Sequence, residues 1–122
     1  MSKHNILGKK GEMIALDYLK EKKYIIRDSN WRFEKYELDI IAENNEFLVI
    51  VEVKTRSSSF FGEPEASISK GKIRRIVDAT QAYIETFDIL KETRFDVISI
   101  IYKNENTYEL EHFEDAFYPA IE

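Results

Sequence analysis

Apolar residues along this chain change their spacing from helical to strand-like and back, and that pattern predicts the element order. Leu7, Met13, Ile14, Tyr18 and Leu19, with the small Gly11 and Ala15 between them, recur at helical spacing and predict a first helix from about residue 5 to 22 with a lysine-rich outer face. Tyr24–Ile26 is a short β-prone run; after the polar Asp28-Ser29-Asn30, Trp31-Arg32-Phe33 alternates as a half-buried strand does, giving one strand or two. Glu37–Ala42 and Phe47–Lys54 are β-rich and separated by Glu43-Asn44-Asn45-Glu46, which reads as a hairpin. From Thr55 to Ala66 serine, glycine and proline punctuate the chain without a period, so an exposed loop is expected. Ser69 is placed to cap a second helix whose buried stripe is Ile73, Ile76, Val77, Thr80, Tyr83, Ile84 and Phe87. Phe95–Tyr102 predicts a further strand and Tyr108–Phe113 a weaker one, followed by an aromatic tail, Phe117 and Tyr118, expected to pack on the body.

The near-continuous apolar runs Leu48–Val51 and Val97–Ile101 suit central strands covered on both sides. The expected architecture is therefore α/β: a three-layer α/β/α sandwich with a central mixed sheet, in a single domain spanning residues 1–122. Cysteine is absent, which removes disulfides and thiolate zinc sites, and any metal must be held by oxygen or histidine. No signal peptide and no apolar run long enough to span a membrane is visible, so no membrane role and a cytoplasmic setting are expected.

Net charge is −5, which argues against a general basic coat, yet the charges are segregated. Lys54, Arg56, Lys70, Lys72, Arg74 and Arg75 crowd residues 54–75 against only Glu63 and Glu65, whereas residues 104–122 carry acids and no Lys or Arg. Arg56, Lys70, Lys72, Arg74 and Arg75 are candidate phosphate contacts, since phosphate is also favoured by the free amides at a helix start. Ordinary solvated faces are the alternative reading. Phe60-Phe61 reads either as a base-stacking wedge or as two aromatics folded onto the core, and neither His4 nor His112 receives a role.

Residues two apart on a strand share a face, so Glu37 projects with Asp39, and Glu52 with Lys54. With Asn44-Asn45 at the hairpin tip, Glu43 faces Glu46, Glu37 falls opposite Glu52, and Asp39 lies diagonally across from Glu52. Clustered carboxylates repel one another and resist desolvation unless a cation or proton compensates, and oxygen donors of this kind suit Mg²⁺ or Mn²⁺. Lys54 would then orient an attacking water or offset charge developing on a phosphate. Taken alone, the same residues also read as a charged strand end, with Asp39 satisfied by backbone amides or a lysine.

Glu37-Leu38-Asp39-Ile40-Ile41, thirteen residues from Asp39 to Glu52, and Val51-Glu52-Val53-Lys54 resemble the PD-(D/E)xK nuclease signature. With Gly8, Gly11-Glu12, Ala15, Tyr18-Leu19, Asn30-Trp31-Arg32 and Lys54-Thr55-Arg56, nearly the whole chain resembles the YraN-type bacterial family, similar to the archaeal Holliday-junction resolvases. The resemblance implies a restriction-endonuclease-like fold and Mg²⁺-dependent phosphodiester hydrolysis on DNA, with Asp39, Glu52, Lys54 and Glu12 catalytic, and Asp39, Glu52 and Glu12, joined by Glu37, at the metal. Leu38 stands where the signature has its proline. Gln81 is followed four residues on by Glu85, with Tyr83 off register, so the RecB-like branch is not assigned.

The expected function is a metal-dependent endonuclease or resolvase-like phosphodiesterase acting on branched or otherwise structured DNA. The alternative is a catalytically weak or inactive nucleic-acid-binding module on the nuclease fold. A third reading is a protein-interaction domain using the acidic tail and exposed aromatics. By analogy with resolvases a homodimer is expected, with Trp31, Phe33, Phe60, Phe61 and Phe117 as candidate apolar surface.

Overall fold

The structure, a computed structural model, describes residues 3–57 and 67–119. In chain order these form α1 (Lys3–Glu21), β1 (Ile25–Phe33), β2 (Tyr36–Glu43), β3 (Phe47–Ser57), α2 (Lys70–Phe87), β4 (Glu92–Asn104) and β5 (Thr107–Phe113). Ser69 caps α2 as expected, accepting from the Lys72 amide at 3.2 Å, and Asp88 ends the helix in a left-handed conformation with φ 50°.

The five strands form one sheet in sequence order. All neighbours are antiparallel except β3 and β4, which run parallel because α2 carries the chain back between them. Successive residues of β3 feed opposite cores. Leu48 and Ile50 pack with Leu38, Ile41, Phe95 and Val97 beneath Ile76, Ala79 and Tyr83 of α2. Val49 and Val51 pack with Ile40, Ala42, Ile98 and Ile100 beneath Ala15 and Leu19 of α1. Each fully buried aliphatic side chain contributes about 1.5–3 kcal/mol relative to exposure, so both helices are held by the sheet they cover. The result is the expected mixed-sheet sandwich, with one helix on each face.

Several local expectations are corrected. Met13 is 65% exposed, because the face of α1 that meets the sheet is the narrow row Gly11, Ala15 and Leu19. Phe87, at the last turn of α2, is also exposed. Thr55–Ser57 continue β3 instead of opening a loop, since β4 offers partners as far as Tyr102. The rest of the predicted loop, including Phe60 and Phe61, lies outside the described residues. Of the two readings left open, a single strand is the one found: Ile25–Ile26 and Trp31–Phe33 belong to β1, Tyr24 precedes it, and the register shifts between Ile26 and Asp28. Phe117 is buried, stacked on Phe95 at 5.2 Å, which removes it from any free apolar surface; Trp31 is half-buried against Tyr83.

A buried polar network ties α1 to the last two strands. Asp96 accepts from Arg94 Nε (2.9 Å), Arg94 Nη2 (2.8 Å) and the Asp115 amide (3.0 Å), and its Oδ2 lies 2.7 Å from His112 Nε2. His112 Nδ1 lies 3.0 Å from the Tyr18 hydroxyl on α1. Burial opposes ionisation of Asp96, but hydrogen bonds from His112, Arg94 and the Asp115 amide outweigh it and hold the carboxyl below its usual range.

Gly11 sets how closely α1 approaches β3. A Cβ there would lie 1.8 Å from Thr55 Oγ1 and 2.8 Å from Thr55 Cβ, so no side chain fits without moving the helix. Gly11→Ala should therefore lower stability by about 1–3 kcal/mol despite alanine's better helix propensity. Adding Thr55→Gly should recover most of the loss; thermal melts of both variants check this, and an unperturbed single variant would contradict it.

Candidate active site

The site lies where β2 and β3 part. Their pairing runs Glu43–Leu48, Ala42–Val49, Ile41–Ile50 and Ile40–Val51, and stops there, although both strands continue. This register differs from the expected one. Asn44 Oδ1 accepts from the amides of Glu46 (2.9 Å) and Phe47 (2.8 Å), and the Asn44 amide donates to the Phe47 carbonyl (3.1 Å). Asn44, Asn45 and Glu46 thus form the connection, and Glu43 faces Leu48 instead of Glu46. The correction shifts every partner by two residues. Being even, it keeps each side chain on its face but brings Asp39, not Glu37, opposite Glu52.

Beyond the last paired residues, the two carboxylates take over backbone partners. Asp39 Oδ2 accepts from the Val53 amide at 2.9 Å, and Glu52 Oε2 accepts a long bond from the Asp39 amide at 3.5 Å. Asn30, flanked by the Ser29–Ile40 and Trp31–Leu38 pairs of the β1–β2 ladder, has left-handed backbone (φ 51°), which asparagine tolerates. Asp39 therefore sits between an irregular neighbour on one side and an open fork on the other.

Burial first, and repulsion from Asp39 second, push Glu52 up to about 8, against the Tyr36 hydrogen bond and the Lys72 charge. Burial likewise raises Asp39, opposed by the Val53 amide and Lys72 and reinforced by Glu37. Glu52 is 1% exposed. Its Oε1 accepts from the Tyr36 hydroxyl at 2.7 Å and lies 3.8 Å from Lys72 Nζ.

Glu12 reaches the site from α1, held by Asn30 Nδ2 at 2.9 Å. Burial and then Asp39 raise its carboxyl, which places it within electrostatic reach of the fork. Glu37 pairs with Arg32 at 2.6 Å, and its side chain is 41% exposed against 1% for Glu52. Lys54 shares the Glu52 face by alternation, and its ammonium donates to the Ser67 carbonyl at 2.7 Å. Among the described residues no three acidic or histidine side chains converge closely enough to hold a metal ion as they stand. Asn30 engages Glu12, Arg32 engages Glu37, Tyr36 and Lys72 engage Glu52, and the Val53 amide engages Asp39, so the site offers Asp39 and Glu52 as a pair, with Glu12 and Glu37 at its margin.

Lys70, Arg74 and Arg75 are exposed on the first two turns of α2, whereas Arg56 is half-buried on β3. Lys72, expected as a phosphate contact, lies 3.8 Å from Glu52 Oε1. Sequence reasoning missed Tyr36 and Asn30. Tyr36 has the opposite parity to Asp39 and so falls on the wrong face by simple alternation. Strict alternation fails here: Leu38 joins the α2-side core and Ile40, two residues on, the α1-side core. Asn30 carried a usable signal, since an asparagine within a β-prone run marks a left-handed position.

The raised carboxyls give a pH dependence with a definite sign. Glu52 is harder to ionise folded than unfolded, so its contribution is fully present below its ordinary value of 4.5 and is lost as pH rises through about 8. The metal-free chain should therefore melt progressively lower between pH of about 5 and about 9, and Glu52→Gln should flatten that slope. Melting curves of both chains with chelator present check this; equal slopes would contradict the assignment.

The comparisons with known proteins agree with one another. A family model described as "Uncharacterised protein family UPF0102" matches residues 11–100, a segment that holds Glu12, Asp39, Glu52 and Lys54 together. A UPF0102 protein of Bacteroides fragilis is 48% identical over 121 residues, 99% of each chain. A UPF0102 protein of Flavobacterium psychrophilum is 48% identical over 118 residues, 97% of this chain and 98% of its own. One from Flavobacterium johnsoniae is 41% identical over 122 residues, 97% of this chain and 98% of its own. The chain belongs to the uncharacterised protein family UPF0102, the YraN-type family.

Proposed function

We propose that this chain is a divalent-metal-dependent endodeoxyribonuclease, resolvase-like in acting on branched or otherwise structured DNA. The observation that carries the reading is the pair of carboxylates, half-buried Asp39 and buried Glu52, set opposite each other at a fork in the sheet. Their chemistry fits Mg²⁺ or Mn²⁺: both donors are oxygens, both carboxyls are raised, and Mg²⁺ is commonly held by one or two carboxylates while keeping several waters. Asp39 and Glu52 would hold the ion, with Glu12 beside them and Glu37 able to join only by leaving Arg32. A divalent ion held there would supply Lewis-acid polarisation of the phosphate and would acidify water beside it. Lys54, on the Glu52 face, orients the attacking water and offsets charge on the phosphate oxygens. Lys70, Arg74 and Arg75 contact backbone phosphates, which positions the strand without reading its sequence. A four-way junction presents two symmetric scissile sites, so this reading also carries a homodimer.

One observation favours the runner-up, a catalytically weak or inactive nucleic-acid-binding module: Glu52 Oε1 is already engaged by Tyr36 and Lys72. Cleavage of labelled four-way junction, flap, duplex and single-stranded DNA separates the two. With Mg²⁺ or Mn²⁺ the wild-type chain should nick structured DNA, and Asp39→Asn or Glu52→Gln should lower the rate by about a hundredfold or more while the chain stays folded. Cleavage surviving in both variants refutes the site; binding without product under every metal favours the module.

A further inference from the structure

Lys72 stands in the place a bound cation would compete for. It is the third residue of α2, its backbone fixed by the Ser69 cap, and its ammonium lies 3.8 Å from Glu52 Oε1. The same charge also favours ionisation of Asp39. At 3.8 Å the contact is an ion pair too long for a hydrogen bond, and the Lys72 side chain is 38% exposed against 1% for Glu52. A flexible, strongly hydrated ammonium in that position is readily given back to water. A divalent ion at Glu52 would supply twice the charge at shorter range and would repel Lys72. The first turn of α2, where the released ammonium stays, is a favourable place for phosphate.

We propose that Lys72 is an exchangeable counter-ion: it holds Glu52 while no divalent cation is bound, is displaced when one enters, and then contacts a phosphate oxygen of the nucleic-acid strand. The phosphate step rests on the nuclease-fold reading above; the displacement step does not. Lys72→Met keeps the stem length and removes the charge from a partly exposed first-turn position, so the chain should fold. Mn²⁺ binding to the protein alone, followed by calorimetry, should become about three- to tenfold tighter in Lys72→Met, the loss of a competing ion pair worth on the order of 1 kcal/mol. Lys70→Met removes an equal charge two residues away and should change Mn²⁺ affinity much less. In Ca²⁺, binding of a labelled four-way junction should weaken in Lys72→Met and its salt dependence should fall by about one phosphate contact.

Unchanged or weaker Mn²⁺ binding in Lys72→Met, an equal gain in Lys70→Met, or no Mn²⁺ binding in either Lys72 chain overturns the proposal. A normal Mn²⁺ gain with undiminished junction affinity overturns the phosphate step. If wild type binds Mn²⁺ and cleaves no DNA, the nuclease reading fails while the Mn²⁺ gain in Lys72→Met still upholds the displacement.

Discussion

Separation of β2 from β3 after Ile40 and Val51 is the constraint on which the rest of the site depends. A parting pair of strands leaves backbone amides without ladder partners, and a buried amide without an acceptor is costly. Asp39 and Glu52 supply the acceptors from opposite sides of the gap. Their carboxyl groups are consequently fixed near one another and away from water, which makes them both structural plugs and candidate ligands. The same geometry explains why they are hard to ionise and why the Lys72 ammonium is drawn to Glu52.

Everything around the fork serves to hold it open and oriented. β3 is the central strand, paired with β4 as far as Ser57, so Glu52 and Lys54 are held by the parallel ladder on one side where β2 has parted from the other. α1 meets β3 at Gly11 and Thr55, next to Glu12 and Lys54 in sequence, so tight helix packing places one charged residue from each element beside the gap. The Arg94–Asp96–His112 network lies away from this constellation in sequence and binds Tyr18 of α1 to the C-terminal strands. A helix secured at Tyr18 and at Gly11 leaves little freedom for Glu12 between or beside those points.

Much of this was legible before any coordinates. The near-continuous apolar run from Leu48 to Val51, the helical stripe from Ile73 to Tyr83 and the serine before it prescribe β3, α2 and its cap, because those signals are local and each element buries the residues it advertises. The grouping of Asp39, Glu52 and Lys54 was also available, since strand parity survives any even shift in register. Opposed pairing of Asp39 with Glu52 was not: it turns on the Asn44 side chain accepting two amides and widening the turn.

Sequence by itself determined the element order, the mixed sheet and the candidate acidic and basic residues, because hydrophobic period and turn chemistry act over a few residues. Only the tertiary structure decided who neutralises whom. Lys72 meets Glu52 across twenty residues, Tyr36 reaches it from another strand, and Asn30 holds Glu12 from across the sheet edge. Those contacts arise from strand twist, helix placement and the closeness Gly11 allows, which are properties of packed elements with no local signature in the chain.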